Sequence, residues 1–318
     1  MPEVFVFVPS YNHAPFIERC LQSIIKQTLA PKKLLVIDDG SKDDSPRVIE
    51  KVLKDCPFPA ELIARENRGL CATLNEGFSH CDAEFFAYLG SDDLWLPELL
   101  DARAELLTKR KNAALAYGHA FFIDPRDEIT DSSADHEDTW ANYPDGDPLP
   151  MLLQGLAPIS STVFYRSEIL GKTRWNEDAR LEDYEMYLKL AALGEFAFDR
   201  KVLSAWRQHD YNTSRDMRLM LDEVVAAQKR NFAPLGMSEA QLSDAQTKTK
   251  FVYAKVLLQN GEKKAALRLA RESWRGAKSK AEVAKFLIRL GVPMFVIETK
   301  RKFKHENAAR LYGKLKID

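Results

Sequence analysis

Long hydrophobic runs are missing from this 318-residue chain. No segment reaches the roughly 18 apolar residues that a membrane span requires, so none is expected to cross a bilayer. The opening stretch MPEVFVFVPSYN lacks the basic segment and long apolar run of a secretory leader. A charge excess is missing too: 46 basic side chains face 47 acidic ones, so no global field argues for nucleic acid, and any charged surface must be local. Cysteine is scarce. Cys20, Cys56, Cys71 and Cys81 form neither a CxxC pair nor a cluster with histidine at zinc spacing, and a reducing cytosol is the expected setting.

What the chain does contain is organised around Phe85 to Trp95, FFAYLGSDDLW. Phe85 to Leu89 read as a buried strand that ends abruptly in Gly90, Ser91, Asp92 and Asp93. Such residues also make ordinary surface turns. At the carboxyl end of a strand in an open α/β sheet, however, they stand where ligands bind, and adjacent carboxylates there suit a hard divalent cation carrying a phosphate.

The neighbouring segments repeat the pattern. Val4 to Val8 form an apolar run stopped by Pro9, after which Ser10 or Asn12 can cap a helix carrying Ile17, Leu21, Ile24 and Ile25 on one stripe. Leu34 to Ile37 close on Asp38, Asp39, Gly40 and Ser41, with a helix over Ser45 to Leu53. Leu62 to Ala64 precede a turn at Asn67, Arg68 and Gly69 and a helix over Leu70 to His80. Strands alternating with helices predict a mainly parallel sheet with helices on both faces, because parallel neighbours need a crossover of that length. Tyr11, Asp38, Asp39, Asp92 and Asp93 should then line one crevice.

Beyond this the spacing predicts a helix over Pro97 to Lys111, a strand over Ala113 to Ile123 and a long acidic loop, Asp124 to Pro148, which is either a cover over the crevice or a solvated insertion. A strand over Ile159 to Tyr165, a helix over Leu181 to Leu193 and a strand over Phe196 to Trp206 follow. After Asp216 the character changes to successive helices, Met217 to Phe232, Glu239 to Gln259, Lys263 to Trp274 and Lys280 to Leu290. The tail from Lys300 to Lys316 is basic, with Phe303, Ala308, Leu311 and Tyr312 as an apolar stripe. That pattern fits either a packed helix with a solvated face or a peripheral contact with an anionic membrane surface.

PSYN at Pro9 to Asn12, VIDDGS at Val36 to Ser41, ENRG at Glu66 to Gly69, SDD followed by Trp95 and Pro97, and ED at Glu182 and Asp183 stand in one order. In that order they resemble the motifs of family 2 inverting glycosyltransferases, whose fold is the nucleotide-binding GT-A fold. The likeness covers roughly the amino-terminal two thirds, and leaves the helical carboxyl-terminal third outside it. It implies an α/β GT-A domain over residues 1–215 and a helical extension over 216–318, the latter with an acceptor, oligomer or membrane-surface role.

The resemblance implies the site as well. Pro9, Tyr11 and Asn12 would frame the base and ribose, Asp39 would hydrogen-bond the base, Asp38 would support the turn, and Arg68 would approach the base or diphosphate. A carboxylate only accepts, which suits the imide N–H of uracil and so a UDP-sugar. Ser91 and Asp92 would face the nucleotide, and Asp92, Asp93 and His209 would hold Mg²⁺ or Mn²⁺. Arg207 could meet a phosphate. The pattern departs at Gly90, where the family commonly has an aspartate. Asp183 would be the base that takes the proton from an acceptor hydroxyl.

The expected partners are therefore a nucleotide-sugar donor and a glycan or lipid-linked glycan acceptor. The expected setting is bacterial cell-surface polysaccharide assembly, such as an O-antigen or capsule, on the cytoplasmic side of the inner membrane. Gly90 leaves open a non-catalytic nucleotide-sugar-binding scaffold. A sugar-nucleotide pyrophosphorylase is disfavoured, because VPSYNHAP is not its Gly-rich, Arg- and Lys-bearing loop.

Overall fold

The computed structural model describes residues 2–136, 143–210 and 212–317. Its centre is a nine-stranded sheet. The strands are β1 (Val4–Ser10), β2 (Lys33–Asp38), β3 (Ala60–Ala64), β4 (Phe85–Tyr88), β5 (Leu94–Trp95), β6 (Ala113–Ile123), β7 (Ile129–Ser132), β8 (Phe164–Arg166) and β9 (Glu195–Arg207). They lie in the order β3-β2-β1-β4-β8-β6-β9-β5, with β7 alongside β6. β3, β2, β1 and β4 are mutually parallel, β8 runs antiparallel between β4 and β6, and β6 and β9 are parallel.

The residues of β1 alternate between two cores. Phe5 and Phe7 join Leu74 of α3 (Leu70–Ser79), while Val4, Val6 and Val8 join Ile17, Leu21 and Ile24 of α1 (Ile17–Ile25) and Ile49 of α2 (Ser45–Lys54). A strand buried on both faces needs no polar alternation, which is why its sequence is continuously apolar. α4 (Leu99–Lys109) adds Leu99, Leu100, Ala104 and Leu107 to the second core. α7 (Asp183–Ala191), preceded by the one-turn helices α5 (Leu149–Leu152) and α6 (Ser167–Leu170), adds Tyr184, Tyr187 and Leu188 to the first.

Several boundaries differ from the sequence expectation. β1 is not stopped by Pro9 but runs on to Ser10, with Pro9 in register with Ile37. The Phe7 carbonyl accepts from Leu89 N on the β4 side, and pairing with β4 ends at Phe7 and Tyr88, so the side on which Pro9 lacks an N–H has no partner strand left to serve. Neither Ser10 nor Asn12 caps α1: the residue before that helix is Phe16, with no side-chain cap. The strand expected over Ile159 to Tyr165 is shorter, because residues 160–162 form a 3₁₀ turn. The segment read as a loop contains β7, and residues 137–142 of the expected cover lie outside the described residues.

The helices after Asp216 are α8 (Met217–Asn231), α9 (Glu239–Gln259), α10 (Lys263–Ser273), α11 (Lys280–Gly291) and α12 (Met294–Tyr312). Phe251, Ala254, Leu258, Ala266, Ala270 and Phe286 form a core of their own, while Val224, Ala227 and Tyr253 pack into the core under the sheet. The chain then returns to β7: Ile129 N donates to Gly313 O, Leu315 N to Asp127 O, and Leu315 and Ile317 are buried with Leu94 and Ile123. The apolar stripe expected on α12 does not form one packed face, since Ala308 is buried, Tyr312 meets Phe121, and Phe303 and Leu311 are exposed.

One close approach sets the spacing of helix and sheet near the site. An ideal Cβ on Gly77 of α3 would lie 2.6 Å from the Phe7 ring, whose own position is fixed by its stacking on Phe86. Gly77→Ala should therefore lower stability by about 1–3 kcal/mol, the usual cost of overpacking a filled core. An unchanged urea midpoint would mean that the ring gives way freely.

Candidate functional site

The parallel strands deliver Ser10, Asp38 and Tyr88 to one edge of the sheet, and the loops that follow them form the site. Two of these loops are stitched together before any ligand is considered. Asp38 is buried, accepting from Ser41 N at 2.9 Å through Oδ1, and from Ser41 Oγ at 2.7 Å and Ser10 Oγ at 3.1 Å through Oδ2. It supports the turn, as expected. Asn12, in the left-handed region at φ 54°, donates its backbone N–H to Ser41 Oγ and accepts from Lys42 N through Oδ1. Its side-chain oxygen thus braces the loop. Of the three residues expected to frame a base, Pro9 is buried in β1, Asn12 is exposed with its side-chain oxygen engaged by the loop, and Tyr11 stands clear at 47% exposure.

Asp39 is buried and accepts from Arg68 N at 2.8 Å, Gly69 N at 2.9 Å and the Arg65 guanidinium. Three donors leave room for about one more on a carboxylate's four lone-pair sites. Arg65, which sequence reasoning passed over, also reaches Glu76 and Thr73. The Arg68 side chain, expected at the base or diphosphate, is 58% exposed and bonds Glu76. Its backbone, not its guanidinium, is what meets Asp39.

At the end of β4 the two aspartates part company. Asp92 Oδ2 lies 2.9 Å from His209 Nε2, and Asp92 Oδ1 lies 3.9 Å from His13 Nδ1, a nitrogen that is itself 2.7 Å from Ser91 Oγ. The donor atoms of His13, Asp92 and His209 all lie within 4.8 Å of one another, and two imidazoles with a carboxylate are a donor set that divalent ions accept. Burial acts to raise the Asp92 carboxyl, but the His209 hydrogen bond and the charges of both histidines outweigh it and hold it below its ordinary value.

Asp93, expected as a ligand beside Asp92, is not part of this group. It is buried and accepts the backbone N–H of Arg207 at 2.8 Å. Burial, followed by the charge of Asp92, pushes its carboxyl well above the carboxylate range.

Arg207 is likewise corrected: it does not meet the site as a phosphate ligand. Its guanidinium is buried, ion-pairs with Asp127 at 2.6 Å, donates to the Asp92 and Asp124 carbonyls and lies 4.9 Å from the centre of the Phe16 ring. Phe16 stacks in turn on His209 at 5.3 Å. Asp127, at φ 67° in the segment read as loop, also pairs with Arg19.

Glu182 stands just before α7 and Asp183 is its first residue. Burial first, then the charge of Asp183, pushes Glu182 up to about 8, and burial pushes Asp183 up to about 6, against the bond from Tyr184 N to Asp183 Oδ1 at 2.6 Å. The Asp92 charge is among those acting on Glu182. Tyr88, from the last turn of β4, faces the same Glu182 carboxylate.

The residues missed from sequence are His13, Phe16, Arg65 and Asp127. His13 directly follows the PSYN stretch, its one available signal. The others had none, because their partners are distant in the chain.

Comparison with known proteins follows this geometry. The sequence model of glycosyl transferase family 2 matches residues 5–169. An uncharacterized glycosyltransferase of Nostoc sp. is 29% identical over 174 residues, 54% of this chain and 52% of that protein. Chondroitin synthase of Escherichia coli is 24% identical over 221 residues, 67% of this chain and 30% of the synthase. The match thus spans about half of the first relative's length and less of the second. Among solved structures, the Pyrobaculum calidifontis mannosyltransferase PcManGT in complex with GDP-Man and Mn²⁺ superposes with a TM-score of 0.63 at 16% identity, covering 98% of this chain and 87% of that one. S. aureus TarS 1-349 in complex with UDP-GlcNAc gives 0.61 at 16% identity, covering 98% and 90%. These likenesses establish the GT-A-like fold, with its mixed, mostly parallel sheet and helical carboxyl-terminal region.

Replacing Arg207 separates a strut from a phosphate ligand. Arg207→Gln takes the buried cation from Asp127, leaving it the half-exposed Arg19, and should cost up to about 3–5 kcal/mol in urea unfolding. A stable variant that merely bound UDP more weakly would restore the phosphate role.

Proposed function

Because this chain belongs to glycosyl transferase family 2, we propose that it moves a sugar from a nucleotide-sugar donor, a UDP-sugar, to an acceptor hydroxyl with inversion at the anomeric carbon. The observations that support the reading are Asp39 and the His13, Asp92 and His209 group on the loops that follow the parallel strands, and the raised carboxyl pair that opens α7, whose Glu182 feels the charge of Asp92.

Asp39 is the acceptor for the base, through the lone-pair site its three donors leave, and the exposed Tyr11 is the ring available to frame it. The loop braces from Asp38 and Asn12 keep that carboxylate in place before the donor arrives. Asp92 and His209 are the residues that would hold a divalent ion, Mg²⁺ or Mn²⁺, and when bound such an ion supplies positive charge beside the diphosphate. Asp183 is the base. It takes the acceptor's hydroxyl proton as that oxygen bonds to the anomeric carbon and the bond from that carbon to the diphosphate breaks, releasing the nucleoside diphosphate. One base without a protein nucleophile means a single displacement. A carboxyl raised to about 6 suits this role, because it is ionised at neutral pH and yet binds a proton more readily than a surface aspartate.

We assign the transfer chemistry to residues 1–215 and an acceptor-, oligomer- or membrane-facing role to 216–318. Exposed Ile288, Phe295 and Phe303 among the lysines of α11 and α12 support the latter. No helix among the described residues is long and apolar enough to cross a membrane. The acceptor we favour is a glycan or lipid-linked glycan of a bacterial cell surface, assembled at the inner membrane. A second reading, a binding scaffold without turnover, rests on the absence of a carboxylate at Gly90.

Two measurements test the proposal. Incubation with UDP-glucose, UDP-galactose and their N-acetylated forms should release UDP in the presence of an acceptor, and binding without turnover on every pair tried would favour the scaffold. In Asp183→Asn, transfer should fall by about 10²- to 10⁴-fold while UDP binding persists.

The pH dependence has a definite sign. The wild-type rate should rise as pH passes about 6 and be lost below it, as Asp183 becomes protonated. Because the folded carboxyl binds its proton more tightly than the unfolded one, its stabilising contribution is complete below about 3.8 and lost as pH rises through about 6. At pH 7.5 the asparagine variant should therefore melt no lower than wild type. A variant that loses activity only because it melts would remove Asp183 from the mechanism.

A further inference from the structure

Position 90 is where the strand-end motif of this chain lacks a carboxylate, and the surrounding atoms show what stands in its place. An ideal Cβ on Gly90 would lie 3.1 Å from Asp92 Oδ1 and 3.4 Å from Asp93 Oδ2, so a longer acidic side chain would push a third carboxylate against two already there. Asp93 is committed to the Arg207 backbone. The end of β4 therefore offers one free-standing carboxylate, Asp92, and it lies between two imidazoles.

We propose that His13 is a third protein ligand of the divalent ion, replacing the carboxylate absent at Gly90, and that this makes the site select Mn²⁺ and later first-row ions over Mg²⁺. The inference rests on the reading of the crevice as a donor site, but it concerns the ion itself and can be tested without sugar transfer.

The separations support it. Ligand atoms about 2.1 Å from one ion lie about 3 Å apart when adjacent and about 4 Å apart when opposite. One donor atom from each of His13, Asp92 and His209 lies within 4.8 Å of the other two, so small side-chain adjustments bring them onto one ion.

Both imidazoles are also held from outside the group. The His13 backbone N–H donates to Ser45 Oγ at 3.0 Å, and its ring meets Phe16 edge-on at 6.2 Å. The His209 backbone N–H donates to Asn212 Oδ1, and its ring is stacked on Phe16, which also lies against the Arg207 guanidinium. One phenylalanine thus orients both rings, the kind of outer support that tunes a metal site. The Ser91 hydroxyl, 2.7 Å from His13 Nδ1, lies against the nitrogen that the ion would use.

The selectivity follows from ligand type. Mg²⁺ is hard, favours oxygen donors and sheds water reluctantly, whereas imidazole suits first-row transition ions. Three protein donors on an octahedral ion leave positions for diphosphate oxygens and water.

The test uses the full chain without nucleotide. Mn²⁺ binding is followed by the loss of the free-ion electron paramagnetic resonance signal, Mg²⁺ by competition, and the number of coordinated imidazole nitrogens by electron spin echo modulation of bound Mn²⁺. Wild type should bind Mn²⁺ at least tenfold more tightly than Mg²⁺ and show two nitrogens. His13→Gln, which retains the backbone bond to Ser45, should show one nitrogen and lose about tenfold in Mn²⁺ affinity with little change for Mg²⁺. His209→Gln should lose the other nitrogen. Circular dichroism and melting temperature confirm that each variant is folded, and if His13→Gln is not, the nitrogen count of wild type alone decides.

One nitrogen in wild type, or unchanged Mn²⁺ binding in folded His13→Gln, overturns the proposal. The two readings separate cleanly. Two nitrogens in a protein that transfers no sugar would leave this site standing and remove the transferase reading, whereas sugar transfer by a protein with one coordinated nitrogen would do the reverse.

Discussion

A guanidinium taken wholly out of water must be neutralised and hydrogen-bonded, and Arg207 meets that demand by drawing four parts of the chain together. Its partners are Asp127 beyond β6, the carbonyls of Asp92 and Asp124, and the face of Phe16 at the start of α1. Its own backbone N–H holds Asp93. The last residue of β9 is thereby tied to the turn after β4 and to the first helix. His209 follows two residues later and is delivered to Asp92 as a consequence. The histidine and carboxylate group is assembled by a neighbour that never touches it as a ligand.

The same logic appears at the other side of the crevice in a milder form. Asp39 is buried with Arg65 as its cation and two backbone N–H groups as further donors, so its carboxylate is oriented before any base arrives. Preorganised acceptors spend less of a ligand's binding energy on ordering the site. Among the described residues the carboxyl pair that opens α7 has no cation paired with it in this way. Glu182 and Asp183 are both pushed upward by burial, and Glu182 also by the charge of Asp183, the condition in which a carboxylate can serve as a base. The chain thus carries two kinds of acid: Asp39, neutralised and held in position, and the pair at the start of α7, raised by burial.

Most of the sheet could be read from local pattern. β6 runs over Ala113–Ile123 as expected, and β2, β3, β4 and β9 agree to within a few residues; β2, β4 and β6, almost wholly buried, appear as apolar runs, while β3 and β9 keep enough apolar residues to be found. β5 and β7 were not anticipated. Each has only two or four residues, and each exists through its partner, β9 or β6, rather than through its own composition. Pro9 was misread for a related reason: a proline ends a strand only where its N–H is needed, and here β4 has already turned away. The stripe read on α12 was a count of apolar residues, and the structure sends Tyr312 toward Phe121 while leaving Phe303 in solvent.

By itself, the order of residues determined the alternation of strands and helices, the edge at which acid-rich turns collect, and so the place to look for chemistry. Those properties follow from burial, which leaves a periodic trace along the chain. Only the tertiary structure decided which charge answers which: Arg207 with Asp127, Arg65 with Asp39, His13 and His209 around Asp92, and Asp93 withdrawn from the group. Ionic and hydrogen-bonding partnership depends on a few ångströms of separation through space and on the loss of solvent around it. Residues 78 to 117 positions apart carry no local sign that they will meet.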